Sequence, residues 1–206
     1  MRLTRSFIQC GMPAVLWLSL FAAGSEIAFA QKTPFTEQGG HVSQNFKADR
    51  AIIYPSLKVL ASRSAVVLVG RINQVHGQLT PDGVVTSEYS IQIQQILKGA
   101  RQGGGFTTVR MPGGAIRFAD GGTAFLYAVD QRLVNAGNTY VFFLLDPSPG
   151  KAGYEVAGGM QGVYELDNTT GTVIPIDLHR SDPVVRQLIN KPIGEGLSEI
   201  AKAVRP

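Results

Sequence analysis

The chain has 206 residues, 44% of them hydrophobic, and a formal charge of +4 from 19 basic and 15 acidic residues. That balance is mild, and the basic residues are scattered with no run that would track a phosphate backbone, so composition argues against a nucleic-acid partner. The one cysteine, Cys10, lies in the N-terminal leader, which leaves the remainder without disulfide, thiol-catalytic or cysteine-metal chemistry.

Arg2 and Arg5 precede an apolar run over residues 12–23, followed by Gly24, Ser25 and Ala28-Phe29-Ala30 ahead of Gln31. This is the order of a cleavable secretory signal over residues 1–30, since the run falls short of the roughly 20 apolar residues of a membrane-spanning helix; an uncleaved N-terminal anchor is the alternative. Cys10 precedes the apolar run, so it is misplaced for a lipoprotein acceptor. Cleavage leaves 176 residues at +3, one domain's worth of chain with no later transmembrane segment. An exported chain without cystines suits a bacterial envelope, periplasmic or secreted.

Residues 31–54 are polar, with Pro34 and Gly39-Gly40, and read as a leader or linker. Residues 55–63 place Pro55 at a first helical position, with Leu57, Leu60 and Ala61 on one face. The segment 65–75 starts apolar on both faces and ends with alternate positions apolar, as in a strand that runs from a core to a sheet edge, with a bulge or bend at Gly70. Thr80-Pro81-Asp82-Gly83 supplies hairpin chemistry. Over residues 84–98 the period is two: Val85, Tyr89, Ile91, Ile93 and Leu97 share one parity, against Thr86, Glu88, Ser90, Gln92 and Gln94. Strands this long curl into barrels.

After the glycines of 102–105, a strand is expected at 106–111. Residues 115–138 read either as strand, at 123–129, or as a long loop over a barrel mouth. Residues 139–145, apolar on both faces, predict a central strand. Three short strands follow at 154–156, 163–166 and 172–176. Ser181-Asp182-Pro183 then caps a C-terminal helical segment over 181–206, with Leu197, Ile200, Ala201 and Val204 on one helix face. The sum is a mainly β fold over 55–180: an OB-like barrel, closed or partly open, with a short N-terminal helix and a C-terminal helical segment.

Catalytic and metal patterns are missing from the sequence. His41, His76 and His179 show no metal-ligand spacing, and no G-x-S-x-G or S-x-x-K is present. The serines, Ser87 among them, are explained by turns, caps and wet strand faces, and the acidic residues from Glu155 to Asp167 by exposed strand positions. The glycines of 103–105 and 158–162 lack the strand-then-helix context of a phosphate cradle and read as turns or a bulge. Asn168-Thr169-Thr170 is a glycosylation sequon, incidental in a bacterial chain. The aromatics of the second half of the sheet, Tyr140, Tyr154 and Tyr164 in particular, are read either as core or as a ligand face.

The order Ala65-Val66-Val67-Leu68-Val69-Gly70-Arg71-Ile72, then Tyr89-Ser90-Ile91-Gln92-Ile93 through Ile96-Leu97-Lys98-Gly99, then Gly137-Asn138-Thr139-Tyr140-Val141-Phe142-Phe143-Leu144 resembles the first half of a netrin-like domain. That is the OB-type barrel of tissue inhibitors of metalloproteinases; the order is also similar to that of exported bacterial proteins of unassigned activity. The resemblance covers about residues 57–166 and implies a fold. Those inhibitors chelate their target's zinc through an N-terminal cysteine, whereas cleavage here leaves Gln31, so no functional residue carries over. The expectation is a non-enzymatic, cofactor-free exported binding module for an envelope protein or glycan. A protease-inhibitor-like protein and an envelope hydrolase with dispersed catalytic residues are the alternatives.

Overall fold

The computed structural model describes residues 41–46, 52–80, 84–100, 105–119, 121–148 and 152–205. Residues 1–30, read above as a secretory signal, most of the polar leader, the turn tip Pro81-Asp82-Gly83 and residues 102–104 lie outside the described residues. Within the leader, His41–Phe46 forms a strand, β1.

Strands β2 (Val66–Leu79) and β3 (Val85–Lys98) form a long antiparallel hairpin. Thr80 locks its end, since its N–H and hydroxyl both donate to the Val84 carbonyl at 2.8 and 2.9 Å. The register slips at Val67/Leu68, Val69/Gly70 and Ile72/Gln74, and such bulges bend and coil a strand pair. Gly70 sits at one slip, where a Cβ would collide with the Ile91 side chain.

The hairpin continues into β4 (Phe106–Pro112), and β7 (Thr139–Leu145) pairs with the other edge of β2. The three residues of β8 (Tyr154–Val156) join β4 in parallel to β7 in antiparallel. The ring β2–β3–β4–β8–β7 thus closes on itself. This is a closed five-stranded barrel of OB-like order in a mainly β protein.

β7 and the start of β2 are buried on both faces. Their even-numbered residues, Val66, Leu68, Tyr140, Phe142 and Leu144, fill the barrel with Ile72, Tyr89, Ile91, Val109, Met111 and Tyr154. Val67, Val69, Val141 and Phe143 point outward into a second core. That core is roofed by α1 (Leu57–Arg63), α2 (Pro183–Leu188) and α3 (Ile193–Ala203) through Leu57, Leu60, Val184, Leu188 and Ile200. α1 begins at Leu57 rather than at Pro55, with Ser56 as its cap accepting the Val59 N–H at 3.3 Å. Asp182 caps α2 with Pro183 in its first turn.

Residues 115–138 resolve into strand followed by loop. β5 (Gly114–Arg117) and β6 (Thr123–Ala128) form a three-stranded sheet in the order β1–β6–β5. β5 passes over the far end of the hairpin so closely that a Cβ on Gly77 would overlap the Ala115 carbonyl. β1 runs parallel to β6, a non-local pairing that leaves no periodic trace in a polar hexapeptide.

β9 (Val163–Asp167) pairs with β7 on the edge that β8 uses, and then with β10 (Thr172–Pro175). β8 and β9 are therefore one strand line interrupted by the 3-10 turn Gly159–Gly162, with the Ala157 N–H donating to the Phe143 carbonyl at 2.8 Å between them. Gly158 and Gly159 take φ of 64° and 61° at the start of this turn, a left-handed conformation suited to glycine.

The turn buries Gln161. Its Oε1 accepts the Tyr54 N–H at 2.9 Å, and its Nε2 donates to the Tyr54 carbonyl at 3.2 Å and to both Asp182 carboxylate oxygens at 2.7 Å. Replacing Gln161 with Leu strands both backbone groups of Tyr54 and takes a donor from the buried Asp182 carboxylate, which keeps the Val184 N–H. We expect Gln161→Leu to lower unfolding free energy by roughly 3 kcal/mol in urea denaturation, and unchanged stability would show that the knot carries no weight.

Candidate functional site

The three tyrosines read from sequence as a ligand face are interior. Tyr140 and Tyr164 expose no area and Tyr154 only 6%, because the strands that carry them are covered on both sides. Tyr140 lies 5.9 Å from Phe142 and Tyr164 meets Phe143 edge-on at 6.1 Å, so core packing is their role. The Tyr140 hydroxyl accepts the Asn135 N–H at 3.0 Å. The Tyr164 hydroxyl is buried with no hydrogen-bond partner among the described residues.

Two other readings of polar residues change with the fold. Ser87, assigned to a wet face, has the parity of Val85 and Tyr89 and is fully buried, donating to the Gly113 carbonyl at 2.8 Å. Glu165, assigned to an exposed position, is 8% exposed. It accepts from Asn138 Nδ2 at 2.6 Å and faces Arg132 Nη2 at 3.7 Å.

Of the histidines, His76 is exposed on β2 and His41 lies in β1. His179 is bracketed. Asp177 Oδ1 accepts both its backbone N–H and its Nδ1 at 2.9 Å, and its Nε2 lies 3.5 Å from Asp130 Oδ2. The 129–133 loop is tied to the segment after β10 by backbone bonds, the Leu178 N–H donating to the Asp130 carbonyl at 2.9 Å and the Arg132 N–H to the Ile176 carbonyl at 2.8 Å. Both ring nitrogens of His179 face carboxylates, and no hydroxyl is hydrogen-bonded to the ring among the described residues. Among the described residues no group of His, Cys, Asp and Glu is placed to hold a metal ion, and no helix is long and apolar enough to cross a membrane.

A hollow with cationic side chains at its walls lies on the helical flank. A cleft of about 510 Å³ opens between α1, α2 and α3, lined by Lys58, Arg186, Lys191 and Lys202, with Glu199, Ser56 and Gln187. Lys202 donates to Glu199 at 3.0 Å and Lys191 to Glu195 at 2.6 Å. Donating to Glu195 raises the Lys191 ammonium, and accepting from Lys202 lowers the Glu199 carboxyl. Lys58 and Arg186 have no carboxylate partner among the described residues. Sequence reasoning missed this site because its cations lie 128 to 144 positions from Lys58 along the chain, and only helix docking brings them together. No protein-family pattern and no curated protein matches the chain.

The buried phenols set an alkaline limit on the fold. Burial is the largest cause raising Tyr89, Tyr140 and, furthest, Tyr164 above the ordinary value of 10.0, and the charges of Asp182 and Asp177 push Tyr164 in the same direction. A phenol with a raised folded value keeps its proton where the unfolded chain has released it. The associated stability is complete below about pH 10 and lost as pH climbs through the raised values. Tyrosinate absorbance is expected to rise together with loss of near-ultraviolet circular dichroism above that pH, rather than ahead of it. The hydroxyls separate further by substitution: Tyr164→Phe removes an unpartnered polar group and should gain up to about 1 kcal/mol, whereas Tyr140→Phe frees the Asn135 N–H and should lose about 1 kcal/mol. Equal losses in urea denaturation would contradict the assignment.

Proposed function

We propose that this protein is an exported bacterial binding module that receives an anionic envelope partner on its helical flank. The observation that carries the reading is the convergence of Lys58, Arg186, Lys191 and Lys202 on one cleft that holds a single carboxylate. Lys58 comes from α1, Arg186 from α2, Lys202 from α3 and Lys191 from the turn between α2 and α3; Lys191 and Lys202 are held by Glu195 and Glu199, which leaves Lys58 and Arg186 as the cations without a carboxylate partner among the described residues. Concentrated like charge in a concavity raises the local concentration of a counter-charged ligand and steers its approach. A filled barrel supports the same division of labour. With the aromatics inside, the barrel acts as a rigid frame, and recognition falls to the helices it carries.

Export rests on the basic, apolar and Ala-x-Ala order of the first thirty residues. N-terminal sequencing of protein from the extracytoplasmic fraction should begin at Gln31, and an intact Met1 in the cytosol would overturn export. For binding, the exported chain should be retained on an anionic matrix and released by moderate salt. The double variant Lys58→Glu/Arg186→Glu, both exposed positions, should elute without retention while keeping its circular dichroism spectrum. Retention of the double variant equal to the unsubstituted chain would sink the reading.

A further inference from the structure

The cleft does not end at α3. A second hollow of about 370 Å³ is lined by Lys58, Ser62, Lys98, Ala203, Val204 and Arg205, and it shares Lys58 and Ala203 with the first. The two hollows adjoin at these residues, beside α1 and α3, and together their walls carry six cations and one carboxylate. Those cations are not equivalent. Lys98 donates to the Ala61, Ser62 and Ser64 carbonyls at 2.7, 3.1 and 2.7 Å and so closes the end of α1, leaving its charge in the groove but not its hydrogen bonds. Lys191 and Lys202 hold glutamates. Arg186 in the first hollow, Lys58 at the junction and Arg205 in the second have no carboxylate partner among the described residues, so unmatched positive charge is spread along the length of the groove.

We infer that the groove binds a linear acidic polysaccharide, one carrying a carboxylate on successive sugars, across both hollows. This rests on the anion-binding reading above and deepens it. A single small anion would satisfy one hollow and leave the other's charge unmatched, whereas a chain with regularly spaced carboxylates meets Arg186, Lys58 and Arg205 together, and its gain grows with the number of groups engaged. Between the charges the groove offers Ala203 and Val204 to the C–H faces of sugars, and Ser56, Ser62 and Gln187 to their hydroxyls.

Two competing polyanions fit less well. Single-stranded nucleic acid is gripped by stacking bases on aromatic rings, and neither hollow is lined by an aromatic residue. An anionic lipid surface is met by a convex face with apolar side chains that insert, but here the cations sit in a concavity, and none of the large exposed hydrophobic residues lines it.

The test is calorimetric titration of the exported chain with oligouronates of two, four and eight sugars, with inorganic phosphate, a single-stranded oligonucleotide and phosphatidylglycerol vesicles as further arms. Affinity should rise at least tenfold from disaccharide to octasaccharide. Arg205→Glu, at the far end of the groove, should weaken the octasaccharide at least tenfold and the disaccharide less than threefold. Lys58→Glu should weaken both. If short oligouronates or phosphate bind but neither chain length nor Arg205→Glu matters, the continuous groove is refuted while the anion-binding cleft stands. Binding by none of the probes refutes both. Oligonucleotide or vesicle binding tighter than the octasaccharide and equally sensitive to Arg205→Glu overturns the polysaccharide assignment.

Discussion

Gln161 lies on a turn that leaves the edge of β7, and it offers its amide oxygen and nitrogen to the backbone of Tyr54 and its nitrogen to the carboxylate that caps α2. Three parts of the chain far apart in sequence meet at this amide: the approach to α1, the strand line of the barrel and the start of the C-terminal helices. In a medium of low polarity such bonds are strong, and their loss exposes every partner at once. Leu57 repeats the device on a smaller scale, its N–H donating to the side chain of Gln187 at 3.0 Å. Because α1 and α2 are fixed to each other in this way, the spacing of Lys58 and Arg186 is fixed too. The charged groove is thus a consequence of how the helices are sewn to the barrel.

The second constraint is the double duty of β2 and β7. A strand with side chains buried on both faces must be apolar at consecutive positions, and each parity answers to a different core. In β7 the ring of Tyr140 belongs to the barrel and the ring of Phe143 to the helical layer. The barrel therefore cannot be repacked without consulting the roof, which couples the shape of the helical flank to the closure of the sheet.

Much of this was readable from local pattern, and the misses have physical causes. The run Thr139-Tyr140-Val141-Phe142-Phe143-Leu144-Leu145 announces a central strand because nothing but two-sided burial tolerates it. The alternation at Val85, Tyr89 and Ile91 identifies an inward face, and Asp182-Pro183 marks a helix start. Ser87 was misplaced because hydroxyl chemistry suggests water, although its parity with Val85 put it inside, where the Gly113 carbonyl satisfies it. The tyrosines were ambiguous because an aromatic on an alternating strand is the same letter whether it lines a core or a ligand. β1 and the groove were illegible for a shared reason: pairing with β6 and convergence of Lys58 with Arg186 are properties of the assembled chain, with no periodicity to betray them.

The ring is sealed unevenly. β2 and β3 are matched over most of their length, whereas β8 is joined to β4 by two residue pairs, Val109 with Tyr154 and Arg110 with Glu155, and to β7 by two more. A cylinder with one short stave has a preferred place to breathe, since the free energy needed to part a contact grows with the number of bonds that must open together. That stave, the part of the ring with fewest bonds to open, lies next to the Gly159–Gly162 turn that leads into β9. Loosening there reaches Gln161 before it reaches the hairpin, so the motion that slackens the sheet also slackens the stitching of the helices.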